Sequence, residues 1–154
     1  MNYWLFKSEP DEFSIDDLQA CGPSGECWEG IRNYQARNFL RDQVAVGDYV
    51  FIYHSSCKHV GIAGIGKIVK AAFADPFQFD PDSKYFDEKS TSENPRWVAV
   101  QVAFEKKFTY LLTLKQLKAN PALEGLTLLR KGNRLSIMPV AENHWHAINA
   151  MLNE

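Results

Sequence analysis

Tyr49-Val50-Phe51-Ile52-Tyr53-His54, followed by Gly61-Ile62-Ala63-Gly64-Ile65-Gly66-Lys67-Ile68-Val69-Lys70-Ala71-Ala72, decides the fold. The first run, aromatic and β-branched up to His54, is a strong strand signal. The second carries three glycines inside a strand pattern, the mark of a bent strand or of another backbone passing close by. Val46-Gly47-Asp48 forms the turn that feeds the first run. Working outward, Tyr3–Lys7 is a short aromatic strand halted by Ser8-Glu9-Pro10, and Trp97–Phe104 is another strand. Arg134–Pro139 reads as the last strand, stopped by its proline.

Helices fill the gaps without alternating regularly with the strands. Ser14 with Asp17 three residues on is a capped helix start. Asn33–Leu40 reads as a helix with Arg37 and Arg41 on one face. Leu114–Ala119 is a short helix ending before Asn120-Pro121. Glu142–Leu152 places Trp145, Ile148 and Leu152 on one face. Cys21–Glu26, with Gly22, Pro23 and Gly25, is a loop. The irregular order argues against a doubly wound parallel sheet. It predicts a mixed α/β (α+β) fold: a strongly bent, partly closed β-barrel with short helices packed around it.

Residues 75–95 form a long loop with little periodicity, holding Phe77, Phe79, Tyr85 and Phe86. A loop of this length is functional or disordered, and four aromatics argue against disorder. Its carboxylates, Asp75, Asp80, Asp82, Asp87 and Glu88, read as groups that solvate it.

The chain of 154 residues fits one domain, 1–154, with 45% hydrophobic residues and 13% aromatic. A net charge of −2 excludes the global basic field of a non-specific DNA coater, so any nucleic-acid contact must be local. Cys21, Cys27 and Cys57 form no disulfide framework. With no signal-like segment and no apolar run long enough to span a bilayer, the reading is a soluble, cytoplasmic protein, nuclear in a eukaryote.

No nucleophile elbow, P-loop or zincin helix is present. The best metal candidate, His54, Cys57 and His59, has no second ligand pair at zinc spacing and reads as a polar turn. His144 and His146 are two apart, share no helix face and read as surface residues. No cofactor and no metal are expected, and no catalytic residue is assigned.

Trp28-Glu29-Gly30-Ile31-Arg32-Asn33-Tyr34-Gln35-Ala36-Arg37-Asn38 interleaves aromatics, amides and arginines at the mouth of a helix. Flat rings stack on bases, amides pair with base edges, and arginines hold phosphates. On these residues alone, a base-binding surface and an ordinary buried tryptophan beside a polar helix stand even.

Together with Tyr3-Trp4-Leu5-Phe6-Lys7-Ser8-Glu9-Pro10, Gly47-Asp48, Tyr53-His54-Ser55, Asp80-Pro81, Pro95-Arg96-Trp97 and Arg134-Leu135-Ser136, that stretch resembles the EVE-domain family, to which the thymocyte nuclear protein group belongs. The resemblance runs over nearly the whole chain. It implies a PUA-like fold, related to YTH and ASCH domains, and a non-enzymatic reader of nucleic acid, DNA or RNA, carrying a modified base. Modified cytosine is the leading candidate. It implies a pocket of Lys7, Ser8, Trp28, Glu29, Gly30, Asn33, Tyr53, His54, Asp80 and Tyr85. Trp28 would be one aromatic wall; the reach of the long loop, rather than a matched motif, puts Tyr85 ahead of Trp97 as the other. Arg32, Arg37, Arg41 and Arg134 would hold the backbone. An enzyme using Asp80, Glu29 or Cys57, or a module for a small nucleobase-like ligand, is the alternative.

Overall fold

The structure, a computed structural model, describes residues 1–152. Six strands form one sheet: β1 (Tyr3–Ser8), β2 (Glu26–Trp28), β3 (Tyr49–His54), β4 (Gly61–Ala74), β5 (Val98–Thr113) and β6 (Ile137–Val140). Their spatial order is β2-β5-β4-β3-β1-β6. β1 and β3 are parallel, while every other pair is antiparallel. Four helices accompany them: α1 (Ile15–Ala20), α2 (Tyr34–Asp42), α3 (Leu114–Ala119) and α4 (Glu142–Met151).

The class is the expected α+β one, but the sheet is not closed into a barrel. β2 and β6 stand at opposite ends and do not pair with each other. Bending comes instead from bulges, with four register shifts along the β4–β5 ladder. Gly64 explains one of them, because a Cβ there would run into the Lys106 carbonyl oxygen and the Ile15 side chain.

Alternation along the central strands builds a core on each face. Trp4, Phe6, Val50 and Ile52 face one cluster, covered by Leu18 of α1 and Leu40 of α2. Leu5, Phe51 and Tyr53 face the other, covered by Leu117 of α3 and by Trp145 and Ile148 of α4. Phe6 is wholly buried, so truncating it to alanine would cost about 3–5 kcal/mol.

Three expectations are corrected. Glu26, expected as the last residue of a loop, instead opens β2, whose three residues pair with Val100–Val102 of β5. β5 continues past Phe104 to Thr113, through the exposed Glu105, Lys106 and Lys107 that hide the strand pattern. Pro139 does not end β6 but pairs within it opposite Trp4, as an edge strand permits. Among the described residues, no helix is long and apolar enough to cross a membrane.

Candidate functional site

The parallel pairing of β1 and β3 puts Lys7 beside Tyr53 and Ser8 beside His54 at one end of the sheet. The Lys7 ammonium lies 5.9 Å from the Tyr53 ring centroid, and burial pulls its pKa below the usual lysine range. Burial raises the Tyr53 phenol. The Ser8 hydroxyl donates to the Phe13 carbonyl. The Ile15 amide donates to His54 Nε2 at 3.1 Å, so this nitrogen carries no proton. Burial lowers the His54 pKa, in keeping with a neutral ring.

The β2–α2 turn lies next to this corner through Phe13, which packs edge-on against Trp28 at 6.0 Å. Trp28 is 8% exposed and also touches Phe6 at 5.7 Å, so it belongs largely to the core. Burial raises the pKa of the half-buried Glu29 carboxyl. Burial, and then the neighbouring Glu29, push the Cys27 thiol up to about 12, leaving it protonated at neutral pH.

Gly30 has φ of +80°, a conformation open to glycine, and a Cβ there would sit 2.7 Å from the Tyr85 ring. Tyr85 thus lies flat over Gly30. The Gly30 amide donates to Asp75 Oδ2 at 2.8 Å.

Arg32 holds this corner together. Its Nη1 donates to Asp75 Oδ2 at 3.0 Å and to the Ile31 carbonyl, and its Nε and Nη2 both donate to the Tyr85 carbonyl. The guanidinium lies 5.4 Å from the Tyr85 centroid and 5.2 Å from that of Trp97. Trp97 stacks on Tyr34 at 4.7 Å, and Arg37 covers Tyr34 at 4.7 Å. Aromatic rings and guanidinium groups therefore form one continuous stack, with Tyr34 half-exposed at its outer part.

Loop 75–95 is a built structure. Asp75 and Gln78 are fully buried. The Gln78 amide donates to the carbonyls of Asp75 and Trp97 and accepts from the amides of Arg96 and Trp97. The Trp97 indole donates to Asp87 Oδ2 at 2.8 Å, and this bond holds the Asp87 carboxyl below the usual range. Asp75 and Asp87 are therefore fasteners rather than solvating charges. Nothing in the sequence marks Gln78, since a lone glutamine is exposed far more often than buried.

The remaining candidates are scattered. Asp80 is exposed, and its carboxylate accepts from the Asp82 amide in its own turn. Arg41 is paired with Asp42 at 2.8 Å in solvent. Asn33 caps α2 by accepting from the Ala36 amide. Arg134 and Asn33 both line a cleft of about 480 Å³, together with Gln35, Arg130, Lys131 and Leu135. His144 is buried, with its Nε2 3.0 Å from the Glu124 carbonyl, which corrects its reading as a surface residue. Among the described residues, no three His, Cys, Asp or Glu side chains converge as metal ligands would.

The same fold occurs in known proteins. The EVE domain model matches residues 2–151, and the chain belongs to the EVE-domain family. Thymocyte nuclear protein 1 of Danio rerio is 40% identical over 98% of this chain and 72% of its own length. A crystal structure of a Pseudomonas syringae protein is 55% identical with a TM-score of 0.92, covering 97% of this chain and 99% of that one. Human THYN1, in complex with 5-methylcytosine-containing DNA, is 37% identical with a TM-score of 0.92, covering 100% and 99%. The YTH domain of Zygosaccharomyces rouxii MRB1, at 13% identity and a TM-score of 0.53 over 98% and 86%, shares the fold alone. The fold is PUA-like.

Proposed function

We propose that this chain binds nucleic acid and takes one modified base, a modified cytosine foremost, at the corner where the ends of β1 and β3 meet the β2–α2 turn. The observation that carries the reading is the end-to-end likeness to human THYN1, which holds 5-methylcytosine-containing DNA. At this corner Tyr85 packs on Gly30, and the polar ends of β1 and β3 lie next to Trp28 through Phe13. A cytosine presents an amino group that a carboxylate accepts from, which suits Glu29. The base must leave its stack to reach this corner, at a cost of a few kcal/mol. Arg32 acts as an internal strut in this reading, since it already makes four hydrogen bonds within the protein.

The test is a titration at fixed salt with matched oligonucleotides, single- and double-stranded, DNA and RNA, carrying one plain or modified cytosine or adenine. Preference for one modified base, lost in Tyr85→Ala, is the expected result. Removing a stacked ring weakens binding by about 1–3 kcal/mol, roughly 5- to 150-fold. Tyr85→Ala is a better probe than Trp28→Ala, whose buried ring would take the fold with it. Equal affinity for plain and modified strands would defeat the proposal.

A further inference from the structure

We infer that the cleft between α2 and residues 127–134 is the track along which the sugar–phosphate backbone of the bound strand runs, with Arg130 and Lys131 as its main phosphate ligands. The inference rests on the nucleic-acid reading above and extends it to Arg130 and Lys131, to which no sequence motif assigns a role.

Four observations lead here. First, Arg130, Lys131 and Arg134 are exposed at one concave opening, and among the described residues no acidic side chain lines it. Second, none of the three forms an ion pair among the described residues, in contrast to Arg32, Arg41 and Lys107. In a chain of net charge −2, three unopposed cations around one cleft are a local field for a polyanion.

Third, the segment is held in place. The Asn133 amide nitrogen donates to the Arg130 carbonyl at 3.1 Å, and the Leu135 amide donates to Asn133 Oδ1 at 3.2 Å. Leu128 and Leu129 pack on the second core. The cations are thus presented from a fixed turn, which limits the ordering cost of binding. Fourth, the cleft is tied to the Lys7 end of the proposed site through the chain that lines it. Leu135 lines it, and the adjoining Ser136 carbonyl accepts from the Lys7 amide at 2.8 Å. Phe39, Leu135 and Pro139 add apolar surface of the kind a sugar packs on, and Asn33 and Gln35 add amides. A cationic rim over a partly apolar lining fits a nucleic-acid backbone better than an acidic peptide.

The experiment measures affinity against salt concentration for an oligonucleotide carrying one 5-methylcytosine and for its unmodified twin. It compares the wild type, the double variant Arg130→Gln/Lys131→Gln and a charge-matched control, Lys106→Gln/Lys115→Gln. The sites in both variants are exposed, so equal melting temperatures are the check on folding. The slope of log affinity against log salt is expected to become shallower in the first double variant. With two phosphates no longer neutralised, the change is about 1.4 on a single strand or about 1.8 on a duplex. The control should keep the wild-type slope, and the first variant should keep the wild-type ratio of modified to plain affinity.

A wild-type slope in Arg130→Gln/Lys131→Gln overturns the track, and a preserved ratio would leave the base reading standing. A shallower slope with no modified-base preference even in the wild type supports the track and removes the base reading. No oligonucleotide binding at all removes both. Binding of polyglutamate that the double variant loses, with oligonucleotide binding unaffected, would show an acidic-peptide surface and overturn the track.

Discussion

Asp75→Ala is the sharpest test of how this corner is built. The carboxylate is fully buried and accepts three hydrogen bonds: from Gly30 at 2.8 Å, from Arg32 at 3.0 Å and from Phe77 at 2.8 Å. Truncation leaves two amides without an acceptor and a guanidinium without its counter-ion. Removing one partner of a buried pair costs about 3–5 kcal/mol. The Arg32 side chain is 22% exposed, so water can compensate in part and the lower figure of about 3 kcal/mol applies. In a domain of this size that lowers the melting temperature by about 6–12 °C. The damage should be local as well, because Arg32 carries Tyr85 and Asp75 starts the long loop. Chymotrypsin, which cuts beside Phe77, Phe79, Tyr85 and Phe86, should nick the variant's loop at temperatures where the wild type resists. A variant within about 1 kcal/mol of wild type by denaturant titration, with an unchanged nicking rate, would refute the reasoning.

Three further outcomes are expected. Gly30→Ala forces a non-glycine residue to φ of +80° at about 1–2 kcal/mol and displaces the Tyr85 ring, so base binding should fall further than stability, as paired titration and thermal melts would show. Burial raises the Glu29 pKa, so the stability linked to its protonated form is present at acidic pH and lost as pH rises through the folded-state value. Glu29→Gln should therefore raise the melting temperature at pH 8 but not at pH 4, while weakening affinity for cytosine-type bases. The lowered His54 pKa has the opposite sign: its contribution is full above 6.5 and is lost as pH falls toward the folded value, where protonation removes the acceptor for Ile15. His54→Gln should flatten that limb of the stability-against-pH curve.

Much of the fold is legible in the sequence because it rests on local rules. β1, β3 and β4 announce themselves by composition, and Ser14 with Asp17 forms the capping box that their spacing predicts. The short β2 and the polar middle of β5 are hidden because their pairing is set by distant neighbours and bulges. The corner around Gly30 divides along the same line. Its aromatic, amide and arginine content is visible in one stretch, but the bonds that shape it join residues about 45 apart. No pattern in the sequence tells a buried, fully bonded Asp75 or Gln78 from an exposed one. Nor does composition reveal that Arg32 faces inward while Arg130 and Lys131, outside every motif, face solvent.

β1 lies between β3 and β6. β1 is thus completed on one side by residues 137–140, more than 130 residues further along the polypeptide. Contacts of such long sequence separation slow folding, because the whole intervening loop must be closed before they form. A nascent chain shortened of β6 would leave the outer edge of β1, with its buried Trp4 and Phe6, without a neighbour. Such an edge invites pairing with another molecule. Folding of this sheet should accordingly wait until residues 137–140 have been made, with aggregation before then as its main competitor.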